Sequence, residues 1–195
     1  ILNHAAKKLE VLETLLSGRK DLRYALFYCA PGGSQLDDTL ALLGRHDIVS
    51  ARFTQEEDLQ KRQSLLANFG AGKFHALVAM RCLDEGVDVP ATREAFILAS
   101  STNPIQFIQR RGRILRLSPG KDLAVIHDLI VVPSLDPAAS GMPPDVFNLE
   151  RKLLRKELRR FNEFARCADN YFDALTQITR LAKAYNSLDS LGEPA

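Results

Sequence analysis

Closely spaced arginines are the first chemistry this chain offers. The segment Gln109, Arg110, Arg111, Gly112, Arg113, Ile114, Leu115, Arg116 sets four arginines within seven residues, around one glycine. A guanidinium is a planar, permanently charged fork that suits phosphate oxygens. Four of them side by side repel one another, so ordinary packing gives no reason for the cluster. An anion or an acidic surface opposite them does. Upstream, Arg81 to Pro90 reads Arg-Cys-Leu-Asp-Glu-Gly-Val-Asp-Val-Pro and carries three carboxylates around Gly86. The neighbouring pair Asp84 and Glu85 raises acid–base catalysis or a metal as an option. No His or Cys stands beside them at ligand spacing, so no metal site is expected.

These segments need elements to hold them. The 195 residues suit one domain, or one domain with an appendage, and 46% apolar content is enough for a core. A formal net charge of +2 gives no whole-chain sign of a nucleic-acid binder, so any basic function must come from local clusters. The three cysteines, Cys29, Cys82 and Cys167, lie far apart, without zinc spacing or a disulfide framework. Reduced, packed thiols are expected, which fits a cytoplasmic protein. No signal peptide and no membrane-spanning apolar run is found. The chain opens without Met and within a helical pattern, which points to a fragment of a longer protein.

The chain reads as strands alternating with helices. Residues 3–17 form a helix with Leu9, Leu12 and Leu16 on one stripe, closed by Ser17-Gly18. Residues 24–29 form an apolar strand, and Ser34 opens a helix through about Leu43. Residues 48–53 form a second strand. Thr54 and Glu57, at capping-box spacing, open a helix to Phe69. Further strands are predicted at 74–80, 95–99 and 123–127, with a helix starting at Asn103-Pro104 and running into the arginines. Continuously apolar strands between helices predict an α/β fold, a doubly wound and mainly parallel sheet. Ligands in such sheets bind beyond the carboxyl ends of the strands. His75 and His127 fall within strands and are read as packed rather than catalytic. Residues 131–144, rich in Pro and Gly, read as a linker. Residues 145–195 form a helical extension whose Arg151, Arg155 and Arg159, flanked by Lys152, Lys156 and Arg160, make a basic stripe. Leu149, Leu153, Leu154, Leu158, Phe161 and Phe164 form its apolar face. The stripe is read either as a solvated face or as a surface lying along DNA.

Taken together, the two opening segments resemble the second RecA-like domain of superfamily 2 helicases, of the DEAD/DEAH type. The run Asp84 to Pro90 is similar to motif V, and Gln109 to Arg116 is similar to motif VI, in the form Q-R-x-G-R-x-x-R. Tyr24 to Ala30 resembles motif IV. The resemblance covers residues 1 to about 130. It implies a RecA-like domain over 1–130, an ATP-dependent hydrolase in the intact protein, and ATP with Mg2+ bound mainly by an N-terminal RecA-like domain. By that pattern Arg113 and Arg116 are the arginine fingers, which stabilise charge on the γ-phosphoryl group. Gln109, Arg110, Gly86 and Asp88 lie on the nucleotide side, with Glu85 their neighbour. Asp88 could accept from a ribose hydroxyl or cap the following turn. The nucleic-acid candidates are Ala30, Pro31, Gly32, Thr54, Met80 and Arg81. Thr54 could equally be only a helix cap, and Arg81 takes the place of a hydroxyl found in many family members.

A full motor needs a P-loop and an acidic Walker B strand, and neither occurs in this sequence. The reading is therefore half an ATPase, inactive alone, that works on nucleic acid with the N-terminal domain of the same protein. The motif forms lean toward DNA. An RNA helicase domain and a non-catalytic RecA-like interaction module stay open as alternatives.

Overall fold

Strands that are apolar throughout need cover on both faces, and the helices of this chain supply it. A computed structural model describes residues 7–80, 89, 92–99, 112, 120–133 and 141–192, the side chain of Phe164 excepted. Residues 81–88, 90–91, 100–111 and 113–119 lie outside that set. With them lie the helix expected from Asn103 and the candidates Arg81, Glu85, Gly86, Asp88, Gln109, Arg110, Arg113 and Arg116. The chain divides into two units, the first extending to Leu129 and the second beginning at Ile130.

In the first unit, α1 (Lys7–Leu16), β1 (Ala25–Tyr28), α2 (Gln35–Arg45), β2 (Ser50–Phe53), α3 (Leu59–Gly70), β3 (Ala76–Ala79), β4 (Glu94–Ile97) and β5 (Val125–Asp128) follow in order. The five strands make one sheet in the order β2-β3-β1-β4-β5. Every pairing is parallel, with Ala25 opposite both Ala76 and Glu94. The doubly wound α/β expectation is met. Strand alternation splits the core in two. Phe27, Cys29, Val78, Phe96 and Leu98 meet Leu12 and Leu16 of α1 and Leu36, Leu42 and Leu43 of α2. Leu26, Tyr28, Phe53, Leu77 and Ile97 meet Phe69 of α3. Phe27 and Phe96 stack at 4.5 Å between ring centroids, and Phe96 stacks on His127 at the same separation.

A charged cluster ties the amino edge of the sheet together. Glu94 opens β4 and takes both guanidinium nitrogens of Arg19, at 2.8 and 2.9 Å. His127 Nε2 lies 2.7 Å from the same carboxylate. Burial pushes the Glu94 carboxyl up, but the His127 and Arg19 hydrogen bonds and the Arg19 charge outweigh that and hold it at about 2. The same contact, through its hydrogen bond first, raises Arg19. His75 lies beside Val49, whose N–H is 3.3 Å from its Nδ1. Its pKa is lowered by burial and then by the charge of Arg23.

Two local expectations change. Thr54 and Glu57 do not open α3. The helix starts at Leu59, and its N-cap is Asp58, which accepts from Lys61 N–H at 2.7 Å. The Glu57 carboxylate instead closes back on Thr54, so the spacing makes a tight turn ahead of the helix. Nor are the described thiols all packed: Cys29 is buried, but Cys167 is exposed.

The second unit contains α4 (Pro144–Ala165), α5 (Tyr171–Ala184) and a short 3-10 turn, Leu188–Leu191. Pro144 sits at the helix start, where its missing N–H costs nothing. Leu154, Leu158, Ile178, Leu181, Ala182 and Tyr185 form the core, with Ile130, Val132 and Phe147 packed against it. The basic stripe read from the sequence is not one surface. Arg160 is only 5% exposed and meets the equally buried Glu157 at 3.2 Å. Glu157 also accepts from Val131 N–H at 3.1 Å. Leu149, assigned to the apolar face, is 60% exposed. Among the described residues, no helix is long and apolar enough to cross a membrane.

Candidate nucleic-acid interface

The carboxyl ends of β1, β2 and β3 bring three loops to one rim. Pro31, Gly32, Gln55, Glu56 and Met80 line a cleft of about 300 Å³ there. Three of the nucleic-acid candidates, Pro31, Gly32 and Met80, are thus neighbours. The parallel register explains why. Tyr28, Phe53 and Ala79 end their strands at one level, so the residues that follow leave the sheet together.

The first loop turns sharply. Gly32 and Gly33 both adopt positive φ, 76° and 73°, a region that side chains with a Cβ resist. Nothing lies within 4 Å of where a Cβ of Gly32 would stand, so a ligand backbone could approach closely. Behind them the loop is fixed. Ala30 is buried and its N–H donates to Gln35 Oε1 at 2.7 Å. Cys29 is sealed behind that contact, and burial pushes its thiol up to about 12, against the lowering effect of Thr39. It is a packed thiol, not a nucleophile.

The second loop is held just as firmly. Thr54 is fully buried. Its N–H and Oγ1 both donate to Glu57 Oε2, at 2.5 and 2.8 Å, and Oγ1 accepts from Glu56 N–H at 3.2 Å. Ala30 and Thr54 therefore sit at the rim with their polar groups engaged inside the protein. The groups that face the cleft are the exposed Pro31, Gly32, Gln55 and Glu56 and the half-buried Met80. These described lining residues include one carboxylate and no cation. Sequence reasoning passed over Gln35, Gln55 and Glu56. Gln35 carries a usable signal, a polar residue that opens a helix directly after a glycine turn.

On the α1 side, the buried Lys8 ammonium donates to Leu98 O at 2.5 Å. It anchors the chain just beyond β4, where residue 100 begins the stretch that leads to the arginines.

Comparison with known proteins bears on the family and the fold. Residues 7–118, more than half the chain, match the helicase conserved C-terminal domain. A 63-residue stretch is 40% identical to the DNA 3'-5' translocase XPB2 of Sulfurisphaera tokodaii, covering 32% of this chain and 14% of that protein. A 105-residue stretch is 34% identical to Dicer-like protein 2 of Neurospora crassa, covering 53% of this chain and 6% of the relative. The chain thus aligns with only a small part of these proteins. The C-terminal part of the Fun30 ATPase domain superposes with a TM-score of 0.57 at 21% identity, over 66% of this chain and 42% of that one, which supports the fold. With residues 7–118 matched, the chain belongs to the helicase conserved C-terminal domain family.

Proposed function

We propose that the chain is the C-terminal motor domain of an ATP-dependent superfamily 2 translocase that acts on DNA, of the repair or restriction type. The observation that carries this is the family match over residues 7–118, which takes in both the carboxylate and the arginine segments. The translocase named above, a DNA enzyme by its name, supports the choice of DNA.

In this reading Arg113 and Arg116 face ATP held on an N-terminal RecA-like domain and stabilise charge as the γ-phosphoryl group transfers. ATP with Mg2+ supplies the phosphoryl group and the neutralising cation. Gln109 and Arg110 connect that wall to the carboxylate segment. Gly86, Glu85 and Asp88 border the nucleotide, with Asp88 accepting from a ribose hydroxyl. On the other side, Pro31, Gly32, Met80 and Arg81 meet the nucleic-acid backbone, and Ala30 and Thr54 hold their loops in place. Such contacts position a strand without reading its bases.

A composite site makes a simple prediction. The purified chain alone turns over no ATP above background, with or without duplex DNA. Covalently joined to an N-terminal RecA-like domain that carries a P-loop, it supports DNA-stimulated hydrolysis. DNA-stimulated turnover by the isolated chain would overturn the composite site, and stimulation by duplex RNA alone would replace DNA as the substrate.

A further inference from the structure

The basic residues of α4 look equivalent in sequence but are sorted by the fold. Arg151 lies over the Phe147 ring, 5.8 Å from its centroid. Arg155 pairs with Asp189 and reaches Ser190 Oγ at 3.3 Å. Arg160 is buried against Glu157. That leaves Lys152, Lys156 and Arg159, all exposed and with no ion pair to a described residue. Their spacing of four and three places them on one side of the helix. Arg166, also exposed, follows just beyond the helix end on that side. The same face carries two carboxylates, the exposed Asp145, seven positions before Lys152, and the half-buried Glu163.

We propose that Lys152, Lys156 and Arg159 form a docking surface for the phosphate backbone of duplex DNA. This rests on the nucleic-acid reading above and extends it to the second unit. From Lys152 to Arg159 the stripe runs about 10 Å along a straight helix. A duplex offers one phosphate charge per ~1.7 Å of its axis with both strands counted, so a row of cations that long spans more than one phosphate of a strand. The composition of the face favours a duplex over a single strand. Sites for unpaired strands interleave cations with aromatic rings on which bases stack. The side formed by Asp145, Asn148, Leu149, Lys152, Lys156, Arg159 and Glu163 has no aromatic residue. It can meet a backbone but cannot hold a base.

The test is the salt dependence of binding. The chain is titrated onto a labelled DNA duplex by fluorescence anisotropy over a series of KCl concentrations. Three proteins are compared: wild type, the triple variant Lys152→Gln/Lys156→Gln/Arg159→Gln, and the control Lys73→Gln/Arg180→Gln/Lys183→Gln, which removes as many exposed charges elsewhere. Each phosphate contact contributes about 0.9 to the slope of log affinity against log salt. The stripe variant is expected to lose about 2 to 3 from that slope and at least about tenfold in affinity at 0.1 M salt, while the control loses less than about 1. An unchanged slope in the stripe variant, or equal losses in variant and control, overturns the proposal. Equal loss of affinity for an acidic polypeptide probe overturns it in favour of a protein partner. Failure of the wild type to bind duplex overturns it as well, whereas the helicase reading would still be decided by ATP turnover in the two-domain protein.

Discussion

The two units build their interiors differently. The sheet buries apolar side chains on both faces and keeps its main charged cluster, Glu94 with Arg19 and His127, at one edge. The helical unit places an ion pair, Glu157 with Arg160, beside its small apolar core. Large apolar area makes the sheet tolerant of where its charges sit. A small core that contains a carboxylate and a guanidinium depends on the match between them, because weakening either side raises the cost of the buried charge opposite.

Three changes test that contrast. The largest effect is expected at Phe27, fully buried in the central strand and stacked on Phe96. Phe27→Ala should destabilise the sheet by about 4 kcal/mol in chemical denaturation, through lost burial and a cavity. A loss under about 1 kcal/mol would mean that the stack contributes little. In the helical unit, Glu157→Gln removes the carboxylate that Arg160 meets at 3.2 Å and should cost about 3 kcal/mol. The double change Glu157→Leu/Arg160→Met should recover most of that. If it does not, the pair is needed for more than its own neutrality.

The third and smallest effect concerns pH. The Glu94 carboxyl falls from the usual 4.5 to about 2 on folding. Its folded pKa lies below its unfolded one, so its contribution is complete above about 4.5 and is lost as pH falls toward 2. The loss amounts to at most about 3 kcal/mol over that window. Denaturation curves from pH 2 to 7 should show the dependence in the wild type and its removal in Glu94→Gln. The same slope in both would place the acid sensitivity elsewhere.

The sequence made the sheet readable because its strands are continuously apolar, a local signal. Strands β1, β3 and β4 lie where the apolar runs at 24–29, 74–80 and 95–99 put them, within a residue or two. What it could not supply was partnership over distance. Glu94 is visible as a charge at the head of a strand, but its partners Arg19 and His127 lie 75 and 33 positions away. Arg160 and Lys156 are equivalent by helical periodicity, and only the packing of the second unit buries one and exposes the other. Thr54 and Glu57 do interact, as their spacing predicts, but Asp58 starts the helix in their place. At the candidate interface, strand order and register were needed to bring Pro31, Gly32 and Met80 to one cleft. The arginine segment lies almost wholly outside the described residues, so the reading that it faces an anion rests on residue types and on the family match over 7–118.

That anion is the centre of the account, and one measurement tests it directly. ATP turnover is measured at saturating ATP with Mg2+ and DNA in the protein that joins this chain to an N-terminal RecA-like domain, as wild type and as Arg113→Ala and Arg116→Ala. Arginine fingers predict that kcat falls by about 10³-fold in at least one variant, with ATP affinity and thermal stability nearly unchanged. Turnover within about twofold of wild type in both variants would contradict the account, leaving the cluster without a catalytic role.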